Sequence, residues 1–300
     1  MKLVTTRRGD GPARLGFLYD NRVVDVARLA GSQDLCLPDT MQGLIDAGPE
    51  ALNRLSDLAA GRVPDEVTQP LSNVTLLAPI PRPRNAIIGI GLNYRGHAAE
   101  IGIDPPDKPV VFFKPAGTVT GTGAPVLHDS KITAQLDWEV ELAVIIGTRT
   151  RRVSASQALD HVFGYSVLID ISARDNARAG QMDLCKGMDS FGPFGPCIIT
   201  ADEIPDPQAL TLWLNVNGVE KQRSGTDDMV FNVAELIEDL SAALTLEPGD
   251  IVASGTPGGV GAGRRPPEWL WPGDLIEAGI DGIGVLRHPV IDDTPALDDC

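Results

Sequence analysis

The chain has 300 residues, 43% of them apolar and 22% charged, and a formal net charge of -16. That length supports a sizeable core without disulfide or metal staples. The acidic balance argues against nucleic acid or an anionic membrane surface as partner, because both call for basic patches, and no stretch reaches the ~20 apolar residues of a spanning helix.

In chain order, the first segment mixes short strands with helical pieces. Arg14 to Tyr19 and Arg22 to Val26 flank Asp20-Asn21, which reads as a hairpin turn. Helical spacing runs from about Met41 to Leu58. Prolines at 64, 70, 79, 81 and 83 then stop regular structure. The boundary is set there, with an N-terminal domain over 1-72 and a catalytic domain over 73-300. Strands are expected at Asn85 to Ile90, Val110 to Phe113, Trp138 to Ile146, Tyr165 to Ile169 and Leu212 to Val216. Pro248-Gly249-Asp250 and Pro272-Gly273-Asp274 are turns that each lead into a strand. One helix is well marked: Asn232 and Glu235 form a capping box, and Val233, Leu236, Ile237, Leu240 and Leu244 make an apolar stripe that packs on a core. The fold class expected is α+β and β-rich. Alternation of strand and helix is too irregular for a barrel of eight βα units.

Four cysteines, Cys36, Cys185, Cys197 and Cys300, show no paired spacing and read as free thiols in a reducing compartment. No signal peptide is visible after Met1, so a cytoplasmic location is expected.

The chemistry concentrates in Leu136-Asp137-Trp138-Glu139-Val140-Glu141-Leu142-Ala143-Val144-Ile145-Ile146. Strand alternation puts Asp137, Glu139 and Glu141 on one face, followed there by Ala143 and Ile145. Carboxylates that close repel unless a cation lies between them. A solvated strand edge would explain the acids alone, but Ala143 and Ile145 carry that face into a buried region. Asp170 ends the run Tyr165 to Ile169 and supplies a third carboxylate, with Arg174 four residues on. Three carboxylates without a histidine or thiol cluster favour Mg²⁺ or Mn²⁺ over zinc. His97 and Glu100 are three apart, hence on one face of a helical turn, and a glutamate oriented by a histidine can deprotonate water. Gly102, Pro105, Pro106 and Pro109 after them suit a mobile cover. Gly89-Ile90-Gly91 fails as a dinucleotide loop because Tyr94 stands where a third small residue is needed. The run Gly255-Thr256-Pro257-Gly258-Gly259-Val260-Gly261 lacks the Gly-Lys ending of a phosphate loop; it lets backbone approach a ligand closely.

Eight pieces in order carry a resemblance: Gly91-Leu92-Asn93-Tyr94 with His97 and Glu100, Phe112-Phe113-Lys114-Pro115, Leu136 to Leu142, Asp170 to Asp175, Lys186, Phe191 to Pro196, Asn217-Gly218 and Ser254 to Gly261. Over about Ile87 to Val290 the chain resembles the fumarylacetoacetate hydrolase family. The resemblance implies a mixed β-roll catalytic domain with a small N-terminal α/β domain, commonly dimeric. It also implies Glu139, Glu141 and Asp170 as ligands of Mg²⁺ or Mn²⁺, His97 and Glu100 as a water-activating dyad on a lid, and Lys186 near the metal. Arg174 and Thr256, with Gly255 beside them, would contact the carboxylate or oxo group of substrate. Ala177 stands where many relatives carry Gln, and the stretch to Cys185 is about one residue short, so substrate preference does not carry over.

The function expected is metal-dependent hydrolysis of a C–C bond in an acylpyruvate or related 1,3-dioxo acid by a homodimer. Oxaloacetate decarboxylation and isomerisation of a hydroxy-oxo diacid would use the same metal site. A non-catalytic metal-binding scaffold is the reading from another class, and His97 with Glu100 argues against it.

Overall fold

A computed structural model describes residues 1–178 and 180–293, so Cys300 lies outside the described residues. A long mixed sheet organises the molecule. Its strands run in the order Thr68–Pro70, Arg22–Asp25, Arg14–Tyr19, Lys2–Arg7, Gly192–Thr200, Val162–Ile169, Val140–Ile146, Ile251–Ala253, Ile87–Gly91 and Val110–Lys114. A second sheet has five strands, Val219–Gly225, Thr211–Val216, Leu275–Ile280, Gly284–Asp292 and Val126–His128. A short ladder pairs Leu136–Asp137 with Ser172–Ala173. This is the β-rich α+β architecture expected.

Burial follows from how many faces are covered. Thr211–Val216 alternates between buried and half-buried residues, as a strand with one packed face must. Val140–Ile146 and Val162–Ile169 are buried at every position because both faces of their sheet are covered. On one side Leu142, Val144, Val167 and Ile169 join Leu214, Ile276, Leu236 and Leu240, from the second sheet and the Val233–Ala243 helix. On the other, Ala143, Ile145, Leu168 and Ile198 pack with Met41, Leu44 and Leu55 from the N-terminal helices. The N-terminal segment is thus continuous with the main sheet: Lys2 and Leu3 pair antiparallel with Ile199 and Ile198.

Several sequence expectations hold as drawn. Asp20 takes a left-handed turn (φ 52°) between paired strands. Asn232 and Glu235 form the capping box on Val233–Ala243, with Leu244 as its C-cap. Gly249 and Gly273 both have φ near +100°, at 91° and 103°. Two expectations change. The helix over Met41 to Leu58 is two, Met41–Asp46 and Gly48–Ala60, because Gly48 adopts φ +75° and Pro49 follows it. The strand over Trp138 to Ile146 is interrupted at Trp138-Glu139. There the Trp138 N–H donates to the Asp137 carboxylate (2.8 Å) and the Glu139 carbonyl accepts from Asp170 N (2.8 Å). Among the described residues, no helix is long and apolar enough to cross a membrane.

Candidate metal centre and active site

The interruption at Glu139 lies where antiparallel neighbours meet. Val140 pairs with Ile169, so Asp170, one residue on, is brought beside Glu139 and Glu141. Oxygens of Glu139, Glu141 and Asp170 all lie within 4.8 Å of one another, and the three residues are buried. The acidic face does run inward, as Ala143 and Ile145 indicated, and the solvated-edge alternative fails.

Three cations surround the acids. Lys186 Nζ donates to Glu139 Oε2 (2.8 Å), Asp170 Oδ2 (2.7 Å) and Ser172 Oγ (2.8 Å), which uses all of its hydrogens. Lys114, fully buried, donates to Asp170 Oδ1 (2.6 Å) and to the Lys186 carbonyl. Arg174 donates through Nε to Asp137 Oδ2 (2.8 Å) and through Nη2 to Glu139 Oε1. Burial would raise the Glu139 pKa, but Lys186 and Arg174 outweigh it and hold the group at about 2. The lysine itself is lowered by burial and raised further by Asp170 and Glu139, so it stays charged. Glu141 has no cationic partner among the described residues. Its Oε2 accepts only from Gly255 N (2.9 Å), and burial, then Asp170 and Glu139, push its pKa well above the usual carboxylate range.

That imbalance tests the fit of a metal. Four buried carboxylates, with Asp137 included, face three cations, and the uncompensated charge falls on Glu141. A divalent cation among the three oxygens would supply the missing positive charge. Carboxylate oxygens have lone pairs to spare beyond their hydrogen bonds. An all-oxygen donor set suits Mg²⁺ or Mn²⁺. The residues fit the ion.

Above the acids opens a cavity of about 550 Å³, lined by His97, Glu139, Arg174, Lys186 and Thr256 at its charged end. His97 and Glu100 share the Arg95–Ile101 helix, with Nδ1 3.4 Å from Oε2. Glu100 is seated on the glycine-rich loop, where its two oxygens accept from Gly259 N at 3.0 and 3.1 Å. Thr256 donates to the Val140 carbonyl (2.9 Å) and accepts from Gln222 (2.9 Å), so toward the cavity its hydroxyl can only accept. Gly255 gives its N–H to Glu141 rather than to the cavity. Its φ of +96°, with Asn93 Cβ 2.7 Å from where a side chain would start, explains the glycine.

Some functional residues had no role from sequence. Lys114, present in the resemblance without a role, is an internal ion-pair partner of Asp170; its place two residues after Phe112 on a strand, hence on the same face, was the available signal. Asp137 accepts from Trp138 N (2.8 Å), Gly261 N (2.6 Å), Ala262 N (3.1 Å) and Arg174, and so ties Arg174 to the glycine-rich loop. Asn93 bonds the Ser254 carbonyl (2.8 Å) and both polar atoms of the Phe231 backbone. Gln222 bridges Val140 N (3.0 Å) to Thr256 and Pro257. Both partners are remote in sequence, and spacing carries no trace of them. Arg95 donates to the Asp228 and Met229 carbonyls, away from the acids.

The model of the fumarylacetoacetate (FAA) hydrolase C-terminal family matches residues 86–291. The chain belongs to this family. Over 223 residues it is 47% identical to the oxaloacetate tautomerase YisK of Bacillus subtilis, a match spanning 73% of this chain and 74% of the relative. Among solved structures, the fumarylacetoacetate hydrolase of Exiguobacterium antarcticum superposes with a TM-score of 0.84 at 36% identity, covering 97% of this chain and 99% of that one. The maleylpyruvate hydrolase of Sphingobium sp. SYK-6, in complex with manganese(II) and pyruvate, gives 0.79 at 32% identity over 97% and 99%. This family member therefore shares its fold with enzymes named as hydrolases and close sequence similarity with one named as a tautomerase.

Proposed function

We propose that the chain is a divalent-metal-dependent hydrolase that cleaves a C–C bond in an acylpyruvate or related 1,3-dioxo acid, with Mg²⁺ or Mn²⁺ as its cation. One observation carries the reading: three buried carboxylates converge, one lacks a counter-charge, and one of them, Glu139, lines the charged end of a cavity that also receives His97. The manganese and pyruvate named in the Sphingobium complex support both the ion and the 2-oxo acid product.

When bound, the cation supplies Lewis-acid stabilisation of the enolate charge that develops as the bond breaks. The chain's own groups do the rest. Arg174 Nη1 makes no hydrogen bond among the described residues and Arg174 lines the cavity, so it pairs with the substrate carboxylate. Glu100, oriented by His97, takes a proton from water as the water oxygen adds to the acyl carbonyl. The bond from that carbon to the methylene breaks, and the electron pair goes to the methylene. Glu100 returns the proton there, giving a carboxylic acid and pyruvate. Lys186, with every hydrogen engaged, balances charge and positions Glu139 and Asp170 rather than touching substrate.

A second reading is favoured by the 47% identity to a tautomerase: proton transfer between the keto and enol forms of oxaloacetate on the same site, with Glu100 as the base. One assay separates them. Incubation of acylpyruvates and, separately, of oxaloacetate with Mn²⁺-loaded protein, followed by absorbance and pyruvate quantitation, yields stoichiometric pyruvate from an acylpyruvate under the hydrolytic reading. Enol loss on oxaloacetate with no pyruvate from any acylpyruvate overturns it. A homodimer and a cytoplasmic location belong to the same proposal, the latter supported by the free thiols Cys36, Cys185 and Cys197.

A further inference from the structure

The cavity is chemically asymmetric along its length. Its long wall is the Val110–Lys114 strand, whose Lys114 end holds Asp170. At ~3.3 Å per residue, Val110 lies roughly 13 Å further out than Lys114. Strand alternation puts Val110 and Phe112 on the face that Lys114 shares; both are apolar, and Val110 is 43% exposed, apolar surface with water against it. The end of the neighbouring Ile87–Gly91 strand, with Leu92 after it, adds further apolar lining. The remaining wall is Gly180, Met182 and Asp183, leading into the Asp183–Lys186 helix. Among the described lining residues the lysine and arginine cations are Lys186 and Arg174, both at the charged end, and Lys186 has no hydrogen left to donate. Besides Glu139, the lining carboxylate is Asp183, one helical turn before Lys186 and exposed where Lys186 is buried, hence on the solvent side of it.

We propose that this cavity selects 2,4-dioxo monocarboxylates with an apolar acyl end and discriminates against those carrying a second carboxylate at that end, with Asp183 setting the discrimination. The inference rests on the reading above, in that it takes the 2-oxo carboxylate to sit at Arg174. An alkyl tail then covers Phe112, Val110 and Met182, and its own surface leaves water. A carboxylate in the same place loses hydration, meets apolar walls and faces Asp183 with no cation to compensate. A four-carbon diacid such as oxaloacetate keeps both carboxylates at the charged end and escapes this discrimination.

The test compares 2,4-dioxopentanoate, 2,4-dioxohexanoate, 2,4-dioxoheptanoate and 2,4-dioxoheptanedioate on Mn²⁺-loaded protein. In the last, a carboxylate replaces the terminal methyl of the heptanoate. kcat/KM is expected to rise roughly fourfold for each added methylene, the worth of a buried CH₂. The diacid should fall at least ~30-fold below the heptanoate, as an unpaired carboxylate entering an apolar site does. Asp183→Lys, at an exposed position that does not threaten folding, should narrow that ratio roughly fivefold, the scale of an exposed charge pair reversed. Isothermal titration of the heptanoate and the diacid into Mn²⁺-loaded Glu100→Ala protein reads the same preference as affinity, whatever reaction the site performs. A diacid that binds and reacts as well as the heptanoate overturns the inference. An unchanged ratio in Asp183→Lys overturns the role of Asp183. Absent turnover with the affinity preference intact overturns the hydrolytic reading and leaves this one standing.

Discussion

Glu100 is held by a seat that a single methyl group would fill. Gly263 lies in the short 3₁₀ turn Gly261–Gly263, and a Cβ built on it falls 2.2 Å from Glu100 Cδ, 2.5 Å from Oε1 and 2.6 Å from Cγ. Real Cβ atoms do not approach that closely, so in Gly263→Ala the carboxylate must leave Gly259 N. The displaced atoms are the free end of a flexible side chain. Gly263 also has no positive φ, so alanine costs its backbone little. Global stability should therefore move by less than ~1 kcal/mol, within the usual range for a substitution away from the core. The rate should fall ~10²–10⁴-fold, the contribution of a positioned base. Metal affinity should not change, because no ligand is touched. A double-mutant cycle with Glu100→Ala makes the argument specific: if Gly263→Ala acts only through Glu100, the double variant is as slow as Glu100→Ala and no slower. Steady-state kinetics of the four proteins, with urea denaturation as the control on folding, reads both quantities. Gly263→Ala turning over at the parental rate, or losses that multiply in the double variant, would refute the seat.

Asp137→Asn should destabilise the protein by about 3 kcal/mol, since it turns an amide N–H toward buried donors and leaves Arg174 short of a counter-charge; a urea midpoint within error of the parent contradicts this. His288, fully buried, donates from Nδ1 to the Ala124 carbonyl (2.7 Å), and burial pushes its pKa down to about 4 despite that bond. The unfolded chain takes up a proton near the ordinary value of ~6.5 while the folded chain refuses it until about 4, so stability is lost as pH falls through that window. The loss from this group approaches about 3 kcal/mol at the acid end. His288→Gln should flatten the slope of stability against pH between 6.5 and 4, and an unchanged slope would remove His288 as its source.

What was legible in the sequence was whatever is written in local period and order. The alternation of Leu136 to Ile146 placed the acids on one face and correctly sent that face inward. The three-residue spacing of His97 and Glu100 put them on one helical turn. The capping box and the proline-glycine-aspartate turns needed only their own neighbours. What was not legible is contact between distant segments. Lys114 meets Asp170 across 56 residues and Gln222 meets Val140 across 82, and both look unremarkable in their local context. The split at Gly48 was missed for a different reason: the apolar spacing on its two sides is compatible with one continuous helix. Only the left-handed turn at Gly48 breaks it.

Mn²⁺ titrated into chelator-stripped protein, with the free ion followed by electron paramagnetic resonance, tests whether the three carboxylates hold a metal. One tight ion per chain is expected in the parent and in Glu100→Ala, and its loss in Glu139→Ala and in Glu141→Ala. A parent that takes up no manganese, or acid-to-alanine variants that bind it as the parent does, would contradict it.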